Sequence, residues 1–527
     1  MGGTIKRISA RQTFAAQAVE SEEGVEASAP YRIIDLNTYS DVGSSFEAST
    51  REVMVRGRRP VKGSQTSRSD AFGYNIDNTV RNVEPQVAAF MYKVPENLQS
   101  THNFLAGHPL VATPSSTFSV TAAGSVTIDT PQSIDVAPSN IVAILDGTND
   151  RKPQVVASVS ALGVLSVTPL IAGKTLTVTG AHDPATANVE LRVVGVMIGA
   201  GATIQGFADR VELTYTTNDI GSSLKVGEWV FIGGAGKNVG SNEPFYARVL
   251  RVDNGSGKVI FDATTRPIST TQSSIAADTP LFRGAFLHDG EDTITLTNMR
   301  NLSKDKDDKT QVEVVRGCFA SEMAINVSER SFVNMDFTFI GSETRYSRLT
   351  DSEYNAKYGT IIDAFKDAPV NTSTDVYRQR LVVDKVGTIN TAAIHGLVQE
   401  FNVTLNNNLT EDTGIGLLGN DGTSVGSVGA SGTMTAYFVD LAILEAVRCN
   451  CTASVDIICA RKNEGFVLDV PALTLSSNGL TVSNDSAVTI DVDKAAFESK
   501  YGFVLSYTSF AYLPDEAMPP DASDCDC

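Results

Sequence analysis

From Ala324 to Gly341 the chain reads AINVSERSFVNMDFTFIG, in which Val333, Met335, Phe337 and Phe339 alternate with Asn334, Asp336 and Thr338. Successive side chains of a β-strand point to opposite faces, so this alternation predicts one oily and one wet face. Leu397–Thr410, LVQEFNVTLNNNLT, repeats the pattern with Phe401, Val403 and Leu405 set against Asn402, Thr404 and Asn406. Both stretches read as amphipathic strands of a large antiparallel sheet. Neither carries a nucleophile, a metal cluster or a phosphate loop, so the wet face itself is where function is sought.

The same reading divides the chain. Residues 1–30 show neither period and read as a flexible or docking arm. From Tyr31 a short strand pair leads into a basic cluster, Arg51, Arg56, Arg58, Arg59 and Lys62, either a solvated loop or a docking element for an acidic neighbour or for nucleic acid. NVEPQVAAFMYKVPENL, between two prolines, predicts a short helix with Val87, Phe90 and Met91 on one face. The expected divisions are a first part of the main domain over 31–113, an inserted Ig-like β-sandwich over 114–198, and a small barrel-like β-module over 199–300. The second part of the main domain runs over 301–513, and a mobile acidic tail over 514–527. The insertions follow from runs of short strands broken by Gly, Pro, Asp-Gly and Asn-Gly turns. VDLAILEAV and KAAFESKY are expected as short helices in the second part.

Composition narrows the function classes. At 527 residues, with 42% hydrophobic and 20% charged positions, the chain is globular rather than disordered. A formal net charge of -19 disfavours tight nucleic-acid binding, which rests on neutralising phosphates. It suits a surface that stays soluble or that repels a polyanion. No signal peptide or membrane-spanning stretch is read, and six sparse cysteines imply no disulfide framework.

Candidate chemistry is thin. The five histidines are scattered, and HDGEDT (288–293) lacks the spaced oxygens of a calcium loop. Cys449 and Cys451 are read on one side of a strand, with Cys459 a strand later and Cys525 and Cys527 at the end. C-x-C is a weak zinc signal, and thiols acting as small hydrophobes fit better. TGIGLLGNDG has glycines without a strand-to-helix context and reads as a flexible loop. Trp229 reads as a core anchor. No enzyme, cofactor or metal site is expected.

The order of parts resembles the major tail tube proteins of long, non-contractile-tailed bacteriophages. The resemblance is carried by LKVGEWVFIGG, FYARVLRVDN and KVIFD, then TQVEVVRGCF and MAINVSERSFVNMDFTFIGSE. Its most specific part is VQEFNVTLNNNLTEDTGIGLLGNDGTSVGSVGASGTMTAYF. It covers Gln65–Asn103 and Thr203–Leu513, and leaves out 114–198 and the tail. It implies a mainly β fold, a sandwich whose inner sheet joins those of its neighbours, with a flanking short helix. It further implies rings, typically six-fold, stacked into a hollow tube that conducts DNA without binding it specifically. Implied partners are further copies of the chain and the tape measure, terminator and distal tail proteins, in a virion assembled in the host cytoplasm, with no membrane. On this reading Asn334, Asp336, Thr338, Asn402, Thr404 and Asn406 face the lumen, although alternation alone equally allows them to face outward. Arg51, Arg56, Arg58, Arg59 and Lys62, the N-terminal arm and the Gly loop from Thr413 to Ser431 are the expected contacts between rings. The competing functions are another β-rich virion or surface protein (fibre, adhesin or capsid decoration), and a carbohydrate-acting enzyme, against which one tryptophan and 7% aromatics argue.

Overall fold

The computed structural model describes residues 13–519 apart from 29, 50–63, 103–104, 106–115, 122–124, 130–133, 147–151, 178–179, 185–186, 188, 208, 217–219, 263–267, 360, 384–397, 440, 462 and 482–486. The fold is mainly β, with three α-helices among the described residues: Glu84–Met91, Asp351–Tyr358 and Ala442–Arg448.

Two sheets sandwich the main core. The first runs in the order Thr38–Ser49, Ser64–Asp77, Asn334–Gly341, Thr310–Ser328, Val398–Asn406, Gly429–Tyr437, Thr489–Ala496 and the second half of Glu464–Thr481. The second holds Val376–Val383, Ala453–Arg461, the first half of Glu464–Thr481, Ser506–Phe510 and Ala285–His288. Phe337, Phe339, Phe401, Leu405 and Met434 from one meet Val455, Ile457, Phe466, Leu468 and Tyr507 from the other. The predicted apolar positions Val333, Met335, Phe337, Phe339, Phe401, Val403 and Leu405 are all buried there.

The two sheets differ in how many faces they hide. Residues 118–283 form a continuous 14-stranded sheet that joins both sequence-predicted inserted modules, through the pairing of Glu190–Met197 with Pro280–Arg283. Buried residues of the two stretches meet along this joint: Val196 and Ile198 belong to the core of the second stretch, and Ile141, Leu145 and Val194 cluster with Trp229, Phe231 and Phe282. Gly195 sits at a bulge in that joint, where a Cβ would run into the Leu281 carbonyl oxygen. Trp229, Phe231, Tyr246 and Phe282 of this insert cover the outer face of the second sheet, against Ile458, Ala460, Val467 and Phe510. The second sheet is therefore apolar on both faces, which is why IICA (457–460) does not alternate. The first sheet keeps one face free.

Several local expectations are corrected. FAAQAV, assigned to the arm, is the strand Phe14–Val19, paired with Leu296–Lys304 and Arg32–Ile34. Its alanines are buried on both faces, so no period marks it. The strands after Tyr31 do not pair with each other, because Thr38–Ser49 pairs across the basic cluster with Ser64–Asp77. VEVVRGCF and AINV are one strand, Thr310–Ser328, which turns back into Asn334–Gly341. KAAFESKY is not helical: Ala495 and Ala496 end a strand. Cys449 and Cys451 lie at the end of the helix Ala442–Arg448 and beyond it rather than on a strand, and Cys449 is exposed. The acidic tail is not free at its start, since Ala517 is buried and its carbonyl accepts from the Tyr246 hydroxyl at 3.0 Å. The predicted helices VDLAILEAV and EPQVAAFM both form, the latter buried on every side rather than along one stripe.

Candidate functional site: the free polar face of the first sheet

Strand register fixes what lies on the free face. Asn334 opposes Asn326, which opposes Asn402 on its other side. Asp336, Ala324 and Thr404 form the next row, and Thr338, Glu322 and Asn406 the third. All six residues singled out from alternation therefore share one face, in three rows, with Thr310–Ser328 between the two predicted strands. None faces the core.

The face extends to both sides. Asn75 and Asp77 stand opposite Asp336 and Asn334. Thr433 and Thr435 follow on Gly429–Tyr437, opposite Asp493 and Asp491. The pattern is present in each strand: Phe72, Tyr74 and Ile76 go inward while Asn75 and Asp77 go outward, and TIDVD alternates likewise. These residues were legible and were passed over because each run is short.

The polar groups bond mostly to each other. Asp336 accepts from Asn75 Nδ2 at 2.7 Å and from Asn326 Nδ2 at 3.0 Å. Asn334 Nδ2 donates to Asn75 Oδ1 at 2.8 Å, and Asn37 Nδ2 to Asp77 Oδ1 at 2.8 Å. Asn402 Nδ2 donates to Asn326, Thr404 Oγ1 to Asn402 Oδ1 at 3.2 Å, and Thr435 Oγ1 to Asp491 Oδ1 at 2.8 Å. Each of these amides thus spends at least one N–H within the sheet, on a carboxylate or on a neighbouring amide. Asp77, Glu322, Asp336, Glu400, Asp491 and Asp493 lie on the face, and no Lys or Arg does among the described strand positions. The one lysine of these strands, Lys494, turns inward. Its ammonium lies 3.5 Å from the Phe401 ring centre and donates to the Thr433 carbonyl at 2.9 Å. Burial pushes it down to about 7, with the Asp493 charge opposing.

The other candidates resolve differently. Arg51, Arg56, Arg58, Arg59 and Lys62 lie outside the described residues, as do residues 1–12, Cys525 and Cys527. The Gly loop is described from Thr413 to Ser431. Its Leu418 carbonyl accepts from the Arg68 backbone N–H at 2.7 Å, which ties it to the hairpin whose ends flank the basic segment. HDGEDT is a structural turn: Asp289 Oδ1 accepts from the backbone of Val504 and Leu505 at 2.7 and 3.0 Å. Among the described residues no His, Cys, Asp or Glu group has metal-holding geometry. Trp229 is buried, its Nε1 donating to Asp469 at 3.0 Å.

A broad antiparallel sheet with one side buried and the other polar places the chain among the mainly β proteins. The family model described as "Phage tail tube protein" matches residues 10–496, and the chain belongs to that family. The match runs through 114–198, which the resemblance in sequence had left out. No curated protein matches the chain. Membership makes it a structural component of a phage tail.

Proposed function

We propose that the free face of the first sheet lines the bore of a tail tube built from stacked rings of this chain, six to a ring, in a long non-contractile tail. The observation that carries this is the chemistry of the face: carboxylates without cations, and amides that already donate within the sheet. Phosphates bind proteins through Lys and Arg and through free N–H donors. A wall lacking the first and occupying the second gives passing DNA little to hold. At physiological salt the repulsion reaches about 8 Å from the wall, enough to keep the duplex off it. The face also has open edges for neighbours, since a ring closes when each copy offers two different surfaces to the next.

The basic segment with Arg51, Arg56, Arg58, Arg59 and Lys62, the Gly loop and the N-terminal arm form contacts between rings. The tape measure, terminator and distal tail proteins meet the bore and its two ends, and the tail assembles in the host cytoplasm. Two measurements test the reading. Negative-stain images of the purified chain should show hollow tubes with six-fold end views; globular monomers would refute it. Tails carrying Asp336→Lys and Asp493→Lys together should form in normal yield yet deliver DNA poorly, with at least about a tenfold drop in titre, since cations in the bore would grip phosphates. An unchanged titre would take the bore away from this face.

A further inference from the structure

Beyond the strand Ser506–Phe510, residues 511–517 run on as a strap over the contact between the insert and the second sheet. The Tyr512 ring lies 5.6 Å from that of Phe282, and the Leu513 N–H donates to the Asn463 carbonyl at 2.8 Å. Ala517 is buried, with its carbonyl bonded to the Tyr246 hydroxyl. Lifting the strap uncovers Tyr246 and Phe282, which belong to the same apolar cluster as Trp229.

The far end of the strap rests on a turn with a distinctive backbone. After the strand Trp229–Ile232, Gly233, Gly234, Ala235 and Gly236 take φ of 89°, 87°, 55° and 77° in succession. Gly234 and Lys237 exchange both backbone hydrogen bonds, at 2.8 and 3.1 Å, so Ala235 and Gly236 are the central pair of a tight hairpin turn. One carboxylate takes the N–H groups of both: Glu516 Oε2 accepts from Ala235 at 3.0 Å and Oε1 from Gly236 at 2.6 Å. Pro514 packs so closely on the turn that a Cβ at Gly234 would collide with its ring.

Successive backbone N–H groups turned to one side make a concavity for anions, and an ionised acceptor makes each bond about twice as strong as a neutral one. Glu516 is exposed, whereas Pro514 and Ala517 on either side of it are buried. An apolar strap is therefore fastened by a catch that stands in water, where a small anion can reach it.

We propose that the Gly233–Gly236 turn is an oxyanion-binding site, able to take a carboxylate or a phosphate, whose resident ligand is Glu516. Filling it from within the chain holds residues 511–517 closed over the insert, and emptying it frees the strap to open. The proposal concerns one copy of the chain and does not depend on the tube reading.

Hydrogen exchange of the full chain, read by mass spectrometry on peptides covering 233–238 and 511–519, decides it. Glu516→Ala should speed exchange in both peptides by at least about tenfold, as expected for local opening, while the strands of both sheets keep wild-type rates. Inorganic phosphate in large excess should then slow 233–238 again in this variant without slowing 511–519, because it fills the turn but carries no strap. Phosphate should change neither peptide in wild type, where Glu516 already fills the site. Glu516→Gln keeps an acceptor oxygen without the charge and should fall between the two. Wild-type exchange of 511–519 in Glu516→Ala would overturn the strap, and no slowing of 233–238 by phosphate would overturn the anion site. If Glu516→Ala unfolds the chain as a whole, Glu516→Gln takes its place, and wild-type strap exchange there refutes the proposal.

Discussion

At the scale of the residue, the free face works by pairing amides with carboxylates. Asp336 holds two asparagines, so Asp336→Ala should cost about 1 kcal/mol in urea unfolding and release Asn75 and Asn326 as donors toward the bore. Lys494 is a second residue-level feature, because it is a cation on the oily side of the same sheet. The folded chain holds it at about 7 against an ordinary 10.5. Between these values the unfolded state binds the extra proton, so stability rises with pH across that window and carries the full penalty below pH 7. Lys494→Met should remove this rise: melting temperatures of wild type and variant should converge near pH 10 and separate toward pH 6. Parallel curves would show that the ammonium is not buried as described. The sequence reading placed Lys494 in an expected helix, KAAFESKY, whereas it sits at an inward position of the alternating strand TIDVDKAA. A charge there breaks the pattern, and only the packing of Phe401 against it shows what accommodates it.

At the scale of the element, the strand Thr310–Ser328 is the hinge between layers. Its first half pairs with Leu296–Lys304 and Glu343–Leu349, its second with Asn334–Gly341 and Val398–Asn406. Gly317, with φ at +60°, turns it from one set to the other beside Ser342. An L side chain there is strained and would meet the Ser342 hydroxyl. Gly317→Ala should therefore lower stability by roughly 1–2 kcal/mol in chemical denaturation. In the sequence the glycine lies inside the candidate strand VEVVRGCF, and nothing there shows that the chain changes partners at it or runs on through 320–323 into AINV. The helix Asp351–Tyr358 shows the reverse. Thr350 and Glu353 form a capping box around its start, a signal present in TDSEYNAKYG, but alternation has no place for it.

At the scale of the whole molecule, buried charge fastens the insert to the second sheet and to the helix Glu84–Met91. Arg248 reaches Asp469 at 2.8 Å and Asp262 at 3.1 Å, and Arg192 reaches Glu84 at 2.9 Å. Removing one partner strands the other without water, so Arg248→Ala should cost roughly 3–5 kcal/mol, while Arg248→Met with Asp469→Asn should recover much of it. Guanidinium unfolding of the three chains checks this, and an additive double variant would rule out the pairing. No strand period announces the pairs that join the insert to the rest, because Arg248 and Asp469 are 221 positions apart and Arg192 and Glu84 are 108 apart, and each looks like an ordinary surface charge. The sequence by itself determined that the protein is β-rich, which side chains of its main strands turn away from water, and that the remaining sides are wet and acidic. Those properties follow from a two-residue period and from charge, both local. Only the tertiary structure decided that 118–283 is one sheet, that it hides the far face of the second sheet, and that the first sheet alone stays uncovered. Those outcomes depend on which distant surfaces exclude water together, and no short stretch of chain contains that information.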